Sequence, residues 1–296
     1  MNKTPCQRLV LSGLTILMIS CCGKVPDRQG SAAFTEDLGT TVIAHRGGSR
    51  LRPENTMPAF KHALELGVQG LELDVHMSRD GELVVIHDFT VERTTRGRGR
   101  VAEMDLKELK SLDAGYSFTC PDRPGEYPWR GRGLEIPALR EVLQEFPRTL
   151  LCIEIKPDQP EIAGILAEML LEFERLDRTV VSSFHRGVLD RLRRELPRAV
   201  TGASKSEVRW FYILHRLHLA WLYSPEFQVL QIPERSGPFE LATPEFMRRA
   251  RNKGLLVQVW TVNREEDMAR YLEMGVDGII TDRPDLLLQM IGDRGG

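Results

Sequence analysis

The feature that most constrains the fold is a regular alternation of short apolar runs with amphipathic, helix-like stretches from Thr41 onward. Such alternation predicts βαβ units and a parallel sheet. If one of the nine runs is only the returning arm of a hairpin, eight strands remain, as in a (β/α)8 TIM barrel. An open doubly wound sheet is the alternative, but no glycine fingerprint follows the first strand. The runs are residues 42–44, 71–76, 83–86 (the hairpin arm), 149–156, 179–183, 200–203, 228–232, 256–262 and 278–281.

Length and charge narrow the class of protein. At 296 residues the chain is long enough for two average domains, but α/β barrels often use about 200–250 residues as one domain. The 40 basic and 42 acidic side chains leave no strong positive field, which argues against nucleic acid as a partner. We therefore expect one barrel domain over residues 41–296.

The N-terminus is typical of an export signal rather than of a folded segment. An apolar run at residues 9–20 is shorter than the about 20 residues that span a bilayer. The run ends before Cys21, as in a bacterial lipoprotein signal, although Met18 replaces the more usual leucine or valine. We expect a signal peptide at residues 1–20, a lipid anchor at Cys21, a tether at residues 21–40, and attachment to the membrane of a bacterial cell envelope. A short uncleaved anchor is the alternative.

The second strand and the hairpin arm carry charged residues in an unusual arrangement. Glu72 and Asp74 are two residues apart, so both side chains point to one face of a strand. Two neighbouring carboxylates on a partly buried strand repel each other, and a divalent cation would resolve that conflict. An exposed edge strand with solvated acids is the alternative. A turn centred between Asp80 and Gly81 predicts a hairpin that pairs Asp74 with His87.

Residues 89–137 are the least regular part of the chain. A short helix is predicted at residues 104–112, and Gly, Arg and Pro are frequent on both sides of it. This composition and length predict a loop region inserted after the second strand and its hairpin, over the barrel mouth. The arginines of this region either face an anionic substrate or form a solvated surface.

In a (β/α)8 barrel the active site lies at the carboxyl ends of the strands. Those positions bring three carboxylates, two histidines and two cationic side chains to one face. Oxygen ligands of this kind select hard cations such as Mg²⁺ or Ca²⁺. The candidate site residues are His45, Arg46, Glu72, Asp74, Glu154, Lys156, Ser183, Trp260, Thr261, Asn263, Asp282 and, through the hairpin, His87.

Seven short motifs follow one another along residues 41–290. They are His45-Arg46-Gly47, Pro53-Glu54-Asn55-Thr56, Glu72-Leu73-Asp74-Val75, His87-Asp88, Glu154-Ile155-Lys156, Trp260-Thr261-Val262-Asn263 and Gly275-Val276-Asp277-Gly278-Ile279-Ile280-Thr281-Asp282. In this order they resemble the motifs of the glycerophosphodiester phosphodiesterases. The resemblance implies a (β/α)8 barrel that uses magnesium or calcium to hydrolyse a glycerophosphodiester to an alcohol and glycerol 3-phosphate. It also implies Glu72, Asp74 and Glu154 as metal ligands, His45 and His87 as the acid/base pair, and Arg46 and Lys156 near the phosphate.

The side chains at the strand ends suit the chemistry of a phosphodiester. Arg46 and Lys156 place positive charge where the transition state gathers negative charge. Two histidines can remove one proton and supply another. Attack by a glycerol hydroxyl through a cyclic intermediate and direct attack by water are both open routes. Glu54 either supports the site or caps the first helix, and Trp260 either forms an apolar wall of the mouth or fills the barrel.

An aromatic and basic stretch at residues 207–223 is predicted as one helix. It is either a buried helix or an interfacial helix that lets the barrel mouth meet lipid. With residues 231–234, it looks like the family branch that cleaves lysophospholipids. Water-soluble glycerophosphodiesters are the first hypothesis for the substrate, and lysophospholipase D activity is the second. A non-catalytic ligand-binding lipoprotein and a barrel aldolase or isomerase with Lys156 as its Schiff-base lysine are the other hypotheses.

Overall fold

The computed structural model describes residues 39–120 and 123–295. The predicted signal peptide, Cys21 and most of the tether lie outside the described residues. Within the described residues, no helix has both the length and the apolar character that crossing a membrane requires. The strands are β1 (Thr41–Ala44), β2 (Gly70–Met77), β3 (Leu83–Val85), β4 (Leu150–Ile155), β5 (Thr179–Ser182), β6 (Val200–Thr201), β7 (Val229–Pro233), β8 (Arg235–Ser236), β9 (Phe239–Glu240), β10 (Leu256–Trp260) and β11 (Gly278–Thr281). The helices are α1 (Met57–Leu66), α2 (Leu106–Lys110), α3 (Leu139–Glu145), α4 (Glu161–Glu172), α5 (Arg186–Glu195), α6 (Lys205–Arg216), α7 (Pro244–Asn252), α8 (Glu265–Glu273) and α9 (Pro284–Gly295).

In the described part of the chain, eight parallel strands form a nearly closed barrel in the order β6, β5, β4, β2, β1, β11, β10, β7. The two ends of this sheet meet where Gly202 bridges Val229. There the amide of Ala203 donates to the carbonyl of Val229 over 3.1 Å. Each barrel strand leads into a helix, after the β2–β3 hairpin in the case of β2 and after the short antiparallel pair β8–β9 in the case of β7. The predicted (β/α)8 fold is confirmed.

The strand alternation decides which side chains enter the barrel. Leu71 and Leu73 pack outward in the main apolar core under the helices. Glu72 and Asp74 therefore point inward, because successive side chains of a strand face opposite sides. Below them lies a small apolar layer inside the barrel, which includes Cys152 beside Glu72. The two carboxylates therefore lie above buried apolar side chains, which shield them from solvent on that side.

β2 and β3 form the predicted antiparallel hairpin, but its predicted register is wrong by one residue. The amide of Ile86 donates to the carbonyl of Asp74 over 3.0 Å, so Asp74 faces Ile86 rather than His87. The turn holds three residues instead of two, since Gly81 takes a left-handed conformation with φ of 87° and lengthens it. His87 follows β3 directly and still reaches the barrel mouth.

The aromatic stretch predicted as one helix consists of α6 and a separate helical turn at Ala220–Leu222. α6 ends at Arg216, and the positive φ of His218 (59°) diverts the chain from the helical path. α6 starts at the carboxyl end of β6 and runs toward the amino ends of the strands. The end of the stretch therefore lies at the face opposite the barrel mouth, not beside the mouth as the interfacial interpretation required.

The region inserted after the hairpin, residues 89–137, has a small core of its own. Its helix, α2, is shorter than predicted. A bridge between Thr90 and Arg100 closes a loop within the region, and a bridge between Val84 of β3 and Ala138 holds the end of the region to the hairpin. Val84 and Ile86 of the hairpin arm pack against this core, whose own residues are Val91, Val101, Leu109, Ala114, Leu134 and Ile136.

Gly47 shapes the turn that follows β1. Its φ is 81°, and a Cβ there would lie 2.8 Å from Cβ of Ala59 and 2.9 Å from Cδ1 of Phe60. We expect Gly47→Ala to lower the free energy of unfolding by about 2–5 kcal/mol, because overpacking adds to backbone strain. Gly67→Ala is the matched control, since Gly67 has φ of 98° but no described atom within 4 Å of the added Cβ. It should cost only about 1–2 kcal/mol. Urea unfolding compares the two, and equal losses would contradict the packing argument.

Candidate active site

The predicted residues meet in a pocket at the carboxyl ends of the barrel strands. Seven of the nine residues implied as ligands, acid/base groups or substrate contacts line this pocket. Asp74 lies just beneath them with 1% of its surface exposed, and Glu54 lies beside Arg46 at 3.0 Å. The seven lining residues are His45, Arg46, Glu72, His87, Glu154, Lys156 and Trp260.

Three carboxylates form a compact cluster in the pocket. Glu72 and Asp74 come from β2, and strand pairing places Glu154 of β4 directly beside Asp74. One oxygen from each of the three lies within 4.8 Å of the other two. Oxygen atoms this close, on two adjacent strands, provide the donor set of a hard divalent cation.

Two cationic side chains compensate only part of this negative charge. Nζ of Lys156 lies 3.1 Å from Glu154 and 3.3 Å from Asp74, and Nε of Arg46 lies 3.2 Å from Asp74. Burial alone would raise the pKa of Asp74, but Lys156 and Arg46 hold it below its ordinary value. Burial and repulsion from Asp74 raise the pKa of Glu72 to about 8.

The negative charge that the two cations leave uncompensated fits a divalent metal ion. Two buried carboxylates and the partly buried Glu154 face two cations, and Oδ1 of Asp74 makes no hydrogen bond among the described residues beyond the 3.3 Å ion pair with Lys156. Burial also raises the pKa of Glu154. A divalent cation at the cluster would relieve each of these costs, because it favours the ionised form of every carboxylate around it.

His45 is oriented by a carboxylate from the other end of the chain. Its Nδ1 lies 2.6 Å from Oδ1 of Asp282, and its Nε2 lies 3.9 Å from Glu72. Asp282 also accepts hydrogen bonds from Ser49 and Asn263, each over 2.6 Å. With Nδ1 engaged, Nε2 is the nitrogen directed toward the carboxylate cluster.

His87 is held in the same manner by its neighbour. Its Nδ1 lies 2.6 Å from Oδ1 of Asp88, and Nε of Arg93 donates to Oδ2 of Asp88 over 2.6 Å. The carbonyl of His87 meets Nε2 of His76 at 3.0 Å, which fixes the backbone. Burial opposes the ionisation of Asp88, but hydrogen bonds from Arg93 and His87 lower the pKa of Asp88 to about 2.

Glu54 links the two sides of the mouth and does not cap α1. It accepts hydrogen bonds from Arg46 over 3.0 Å and from Arg93 over 2.7 Å. Asn55, with φ of 56°, donates to Asp74 over 2.9 Å. The cap of α1 is Thr56, whose side chain accepts a hydrogen bond from the amide of Ala59. Both residues before the cap therefore support the site.

The rim of the pocket is apolar on one side. Trp260 stands at the mouth, 6.0 Å from the ring of the half-exposed Phe184. The peptide bond after Trp260 is cis. Ser183 also lines the pocket, and its hydroxyl donates to the carbonyl of Ile155 over 2.8 Å.

Sequence reasoning missed the partners that orient the histidines. Asp282 was recognised as a strand-end residue, but its contact with His45 joins positions 237 apart. Asp88 was visible as part of a motif, and its contact with Arg93 was not predicted. One of these contacts could have been predicted: Asp88 directly follows His87, and a carboxylate at the next position can reach the Nδ1 atom of a histidine.

We expect Asp282 to make stability depend on pH. Burial opposes its ionisation, but hydrogen bonds from His45, Ser49 and Asn263 lower the pKa of Asp282 to about 2. A lowered folded pKa gives stability that is present above about pH 4 and is lost as pH falls through about 2. Asp282→Asn should therefore cost about 2 kcal/mol at pH 5, and its difference from wild type should shrink toward zero near pH 2.

Urea unfolding at a series of pH values measures this difference. The matched control is Asp293→Asn, which changes an exposed carboxylate on α9 and should track wild type throughout. A constant gap between Asp282→Asn and wild type over this range would contradict the assignment.

Comparison with known proteins agrees with the geometry. The sequence model of the glycerophosphoryl diester phosphodiesterase family matches residues 45–286. A glycerophosphodiester phosphodiesterase of Caldanaerobacter subterraneus is 38% identical over 265 residues, which are 87% of this chain and all of that protein. A human lysophospholipase D is 27% identical over 270 residues, covering 83% of this chain and 84% of that protein.

The solved structure of an Oleispira antarctica phosphodiesterase, in complex with its product sn-glycerol-3-phosphate, is also similar. It shares 28% identity and a TM-score of 0.68, over 86% of this chain and 97% of that one. The family match spans every motif from His45 to Asp282 and the whole pocket. The chain therefore belongs to the glycerophosphoryl diester phosphodiesterase family, and it is a phosphoric diester hydrolase.

Proposed function

We propose that this chain hydrolyses glycerophosphodiesters to an alcohol and glycerol 3-phosphate, with a divalent metal at the carboxylate cluster. One observation carries the proposal. Two histidines, each held at Nδ1 by an aspartate over 2.6 Å, line the same pocket as Glu72, Glu154 and the cationic pair. A metal site alone does not need two oriented histidines, whereas cleavage of a diester needs both a base and an acid.

The donor set supports a hard cation, Mg²⁺ or Ca²⁺. Glu72, Asp74 and Glu154 would hold it, since all three offer oxygen and none offers sulfur or imidazole nitrogen. When bound, such a cation withdraws negative charge from the phosphate and helps to orient the diester. The amide of Arg46 donates to Glu72 over 2.8 Å and keeps that carboxylate in place.

Arg46 and Lys156 are the proposed phosphate contacts of the chain. Both line the pocket and both are largely buried. Their positive charge is already held in position by Asp74 and Glu154, so little reorganisation accompanies the reaction. Fixed charge next to a developing negative charge stabilises the transition state more than the ground state.

His45 and His87 form the proposed acid/base pair. Each ring binds an aspartate through Nδ1 and so presents Nε2 to the substrate. One Nε2 removes the proton from the attacking hydroxyl, of water or of the glycerol, as its oxygen bonds to phosphorus. The other donates a proton to the oxygen of the leaving alcohol as the bond from that oxygen to phosphorus breaks. If the glycerol hydroxyl attacks, water then opens the cyclic phosphate in a second step with the two roles reversed. The aspartates keep each ring in the required tautomer and stabilise its protonated form, as carboxylates do in other acid/base sites.

A lysophospholipid is the second candidate substrate. The apolar rim formed by Trp260 and Phe184 favours it, because an acyl chain or glycerol carbon can pack there. The similarity to a human lysophospholipase D also supports a lysophospholipid substrate. The water-soluble diesters remain our first choice, since the pocket presents four charged side chains and two histidines to a small polar substrate.

The test is a side-by-side assay with glycerophosphocholine, glycerophosphoethanolamine and lysophosphatidylcholine. We expect metal-dependent release of choline or ethanolamine from the first two, with glycerol 3-phosphate as the co-product. Faster release from lysophosphatidylcholine would instead favour the lysophospholipase D. No release from any of the three with metal present would favour a ligand-binding lipoprotein.

We also propose that the chain is exported and lipid-anchored at Cys21 in a bacterial cell envelope. The apolar run at residues 9–20 and the cysteine directly after it support this proposal. Labelling of expressing cells with a fatty acid analogue tests it. Wild type should carry the label, and Cys21→Ser should not, whereas Cys120→Ser, a matched cysteine control, should be labelled like wild type.

A further inference from the structure

Six large apolar side chains are exposed within thirteen consecutive positions. Trp210, Ile213 and Leu217 share one face of α6, since they are three and four residues apart. Trp221 is 67% exposed and Leu217 is 60% exposed. Apolar surface concentrated in this way marks a contact site rather than ordinary scatter. We name this surface the aromatic patch; it consists of Trp210, Ile213, Leu217, Leu219, Trp221 and Leu222.

The aromatic patch extends to the end of the barrel opposite the pocket. The carbonyl of Trp221 accepts a hydrogen bond from Nζ of Lys253 over 2.8 Å. Lys253 lies between α7 and β10, where the chain enters the amino end of a barrel strand. The pocket lies at the carboxyl ends of the same strands.

The N-terminal part of the chain joins the barrel at this same end. Thr40 donates its hydroxyl hydrogen to the carbonyl of Val276, just before β11, and β1 begins at the next residue. Arg251, in the last turn of α7, donates a hydrogen bond to the carbonyl of Gly275, which lies in the connection between α8 and β11. From β7, which follows the aromatic patch in sequence, to β1 there are three strand spacings, or about 15 Å.

The charge around the aromatic patch suits an anionic lipid surface. Residues 208–223 contain two arginines, two histidines and no carboxylate. Arg209 and Arg216 are exposed beside the apolar face of α6. Tryptophan and leucine flanked by arginine are typical of segments that insert at the boundary between headgroups and acyl chains. A second copy of the chain is a poorer occupant, because a twofold contact would oppose these arginines to their own copies.

We propose that the aromatic patch docks on a phospholipid bilayer that contains anionic lipid, so that the barrel stands with its pocket facing away from the membrane. The inference goes beyond the proposed function and adds an orientation to the proposed anchor. The chain from Cys21 to Gly39 spans at most about 60 Å, so an anchor at Cys21 keeps this end of the barrel near the bilayer. Such tethering raises the effective concentration of the aromatic patch at the lipid surface.

This orientation has a consequence for the substrate. A pocket that faces water receives diesters from solution, whereas a lysophospholipid in the same bilayer would have to leave the membrane to reach it. Docking through the aromatic patch therefore favours water-soluble diesters.

Tryptophan quenching tests the orientation on the full chain. Two of its four tryptophans lie in the aromatic patch, one at the pocket and one in the inserted region. The probe is a vesicle of phosphatidylcholine and phosphatidylglycerol with brominated acyl chains, which quench only tryptophans in contact with them. The four variants are Trp221→Phe, Trp210→Phe, Trp260→Phe and Trp129→Phe. We expect the first two together to remove most of the quenching. Trp129→Phe, in the inserted region, and Trp260→Phe, at the pocket, should leave the quenching unchanged.

A second variant measures affinity. Leu217→Glu with Leu222→Glu changes two exposed positions and should lower the vesicle partition coefficient at least about tenfold. Turnover of glycerophosphocholine in solution should not change, so this result does not depend on the reaction itself.

Three results would overturn the proposal. Loss of quenching in Trp260→Phe alone would mean that the pocket faces the bilayer. Vesicle binding without quenching of any tryptophan would mean that only the N-terminal residues touch lipid. A concentration-dependent dimer that Leu217→Glu with Leu222→Glu abolishes, seen by sedimentation velocity, would mean that the aromatic patch binds a second copy.

Discussion

Replacing His45 or His87 by alanine is expected to lower kcat by about 10²- to 10⁴-fold, the usual contribution of a positioned acid or base. Metal binding should remain, because the proposed ligands Glu72, Asp74 and Glu154 are unchanged. His62→Ala is the matched control, since His62 is a partly exposed histidine of α1 outside the pocket. Initial rates on glycerophosphocholine at saturating metal give the comparison.

An activated leaving group then shows which histidine is the acid. The 4-nitrophenyl ester of glycerol 3-phosphate is such a substrate, because 4-nitrophenolate leaves without protonation. The variant that lacks the acid should therefore regain most of its activity on this ester. The variant that lacks the base should stay impaired on both substrates. If either alanine variant turns over glycerophosphocholine at a near-native rate with metal bound, the acid/base assignment is wrong.

Removal of divalent cations with EDTA is expected to abolish turnover, and Mg²⁺ or Ca²⁺ should restore it. Metal at about 100 times its dissociation constant should also raise the free energy of unfolding by about 2.7 kcal/mol. Glu72→Gln and Glu154→Gln should weaken this stabilisation and the activity together. Calorimetry with and without metal measures the first effect, and initial rates measure the second.

The metal-free protein separates ligand loss from misfolding. Asp74→Asn should destabilise it, because Arg46 and Lys156 would lose the carboxylate between them. Glu72→Gln should not, because burial and Asp74 already raise the pKa of Glu72 to about 8. Glu145→Gln, on the exposed face of α3 beside Lys61, is the matched control and should leave both properties unchanged. Full turnover in protein shown by elemental analysis to hold no metal would refute the metal proposal.

Local patterns in the sequence were sufficient for most of the fold and for the cluster. The alternation of runs predicted eight barrel strands, and period-two spacing placed Glu72 and Asp74 on one face. Glu154 followed because parallel strands share their carboxyl edge. These inferences rely on geometry that holds within one strand or between neighbouring strands.

Contacts that depend on exact register or distant packing could not be predicted. One extra residue in the turn at Gly81 moved Asp74 opposite Ile86 instead of His87. The positive φ of His218 diverts the chain just after α6, although the hydrophobic pattern alone would have continued the helix. The contact between His45 and Asp282 forms only once the barrel closes through β1 and β11.

The separate core of the inserted region makes that region a module in evolutionary terms. Its apolar residues pack against one another and against Val84 and Ile86 of the hairpin arm, outside the main core of the barrel. Arg93 connects the inserted region to the active site, because it donates hydrogen bonds to both Glu54 and Asp88. Changes in the rest of the inserted region therefore reach the catalytic centre through Arg93 and through the hairpin arm that precedes His87.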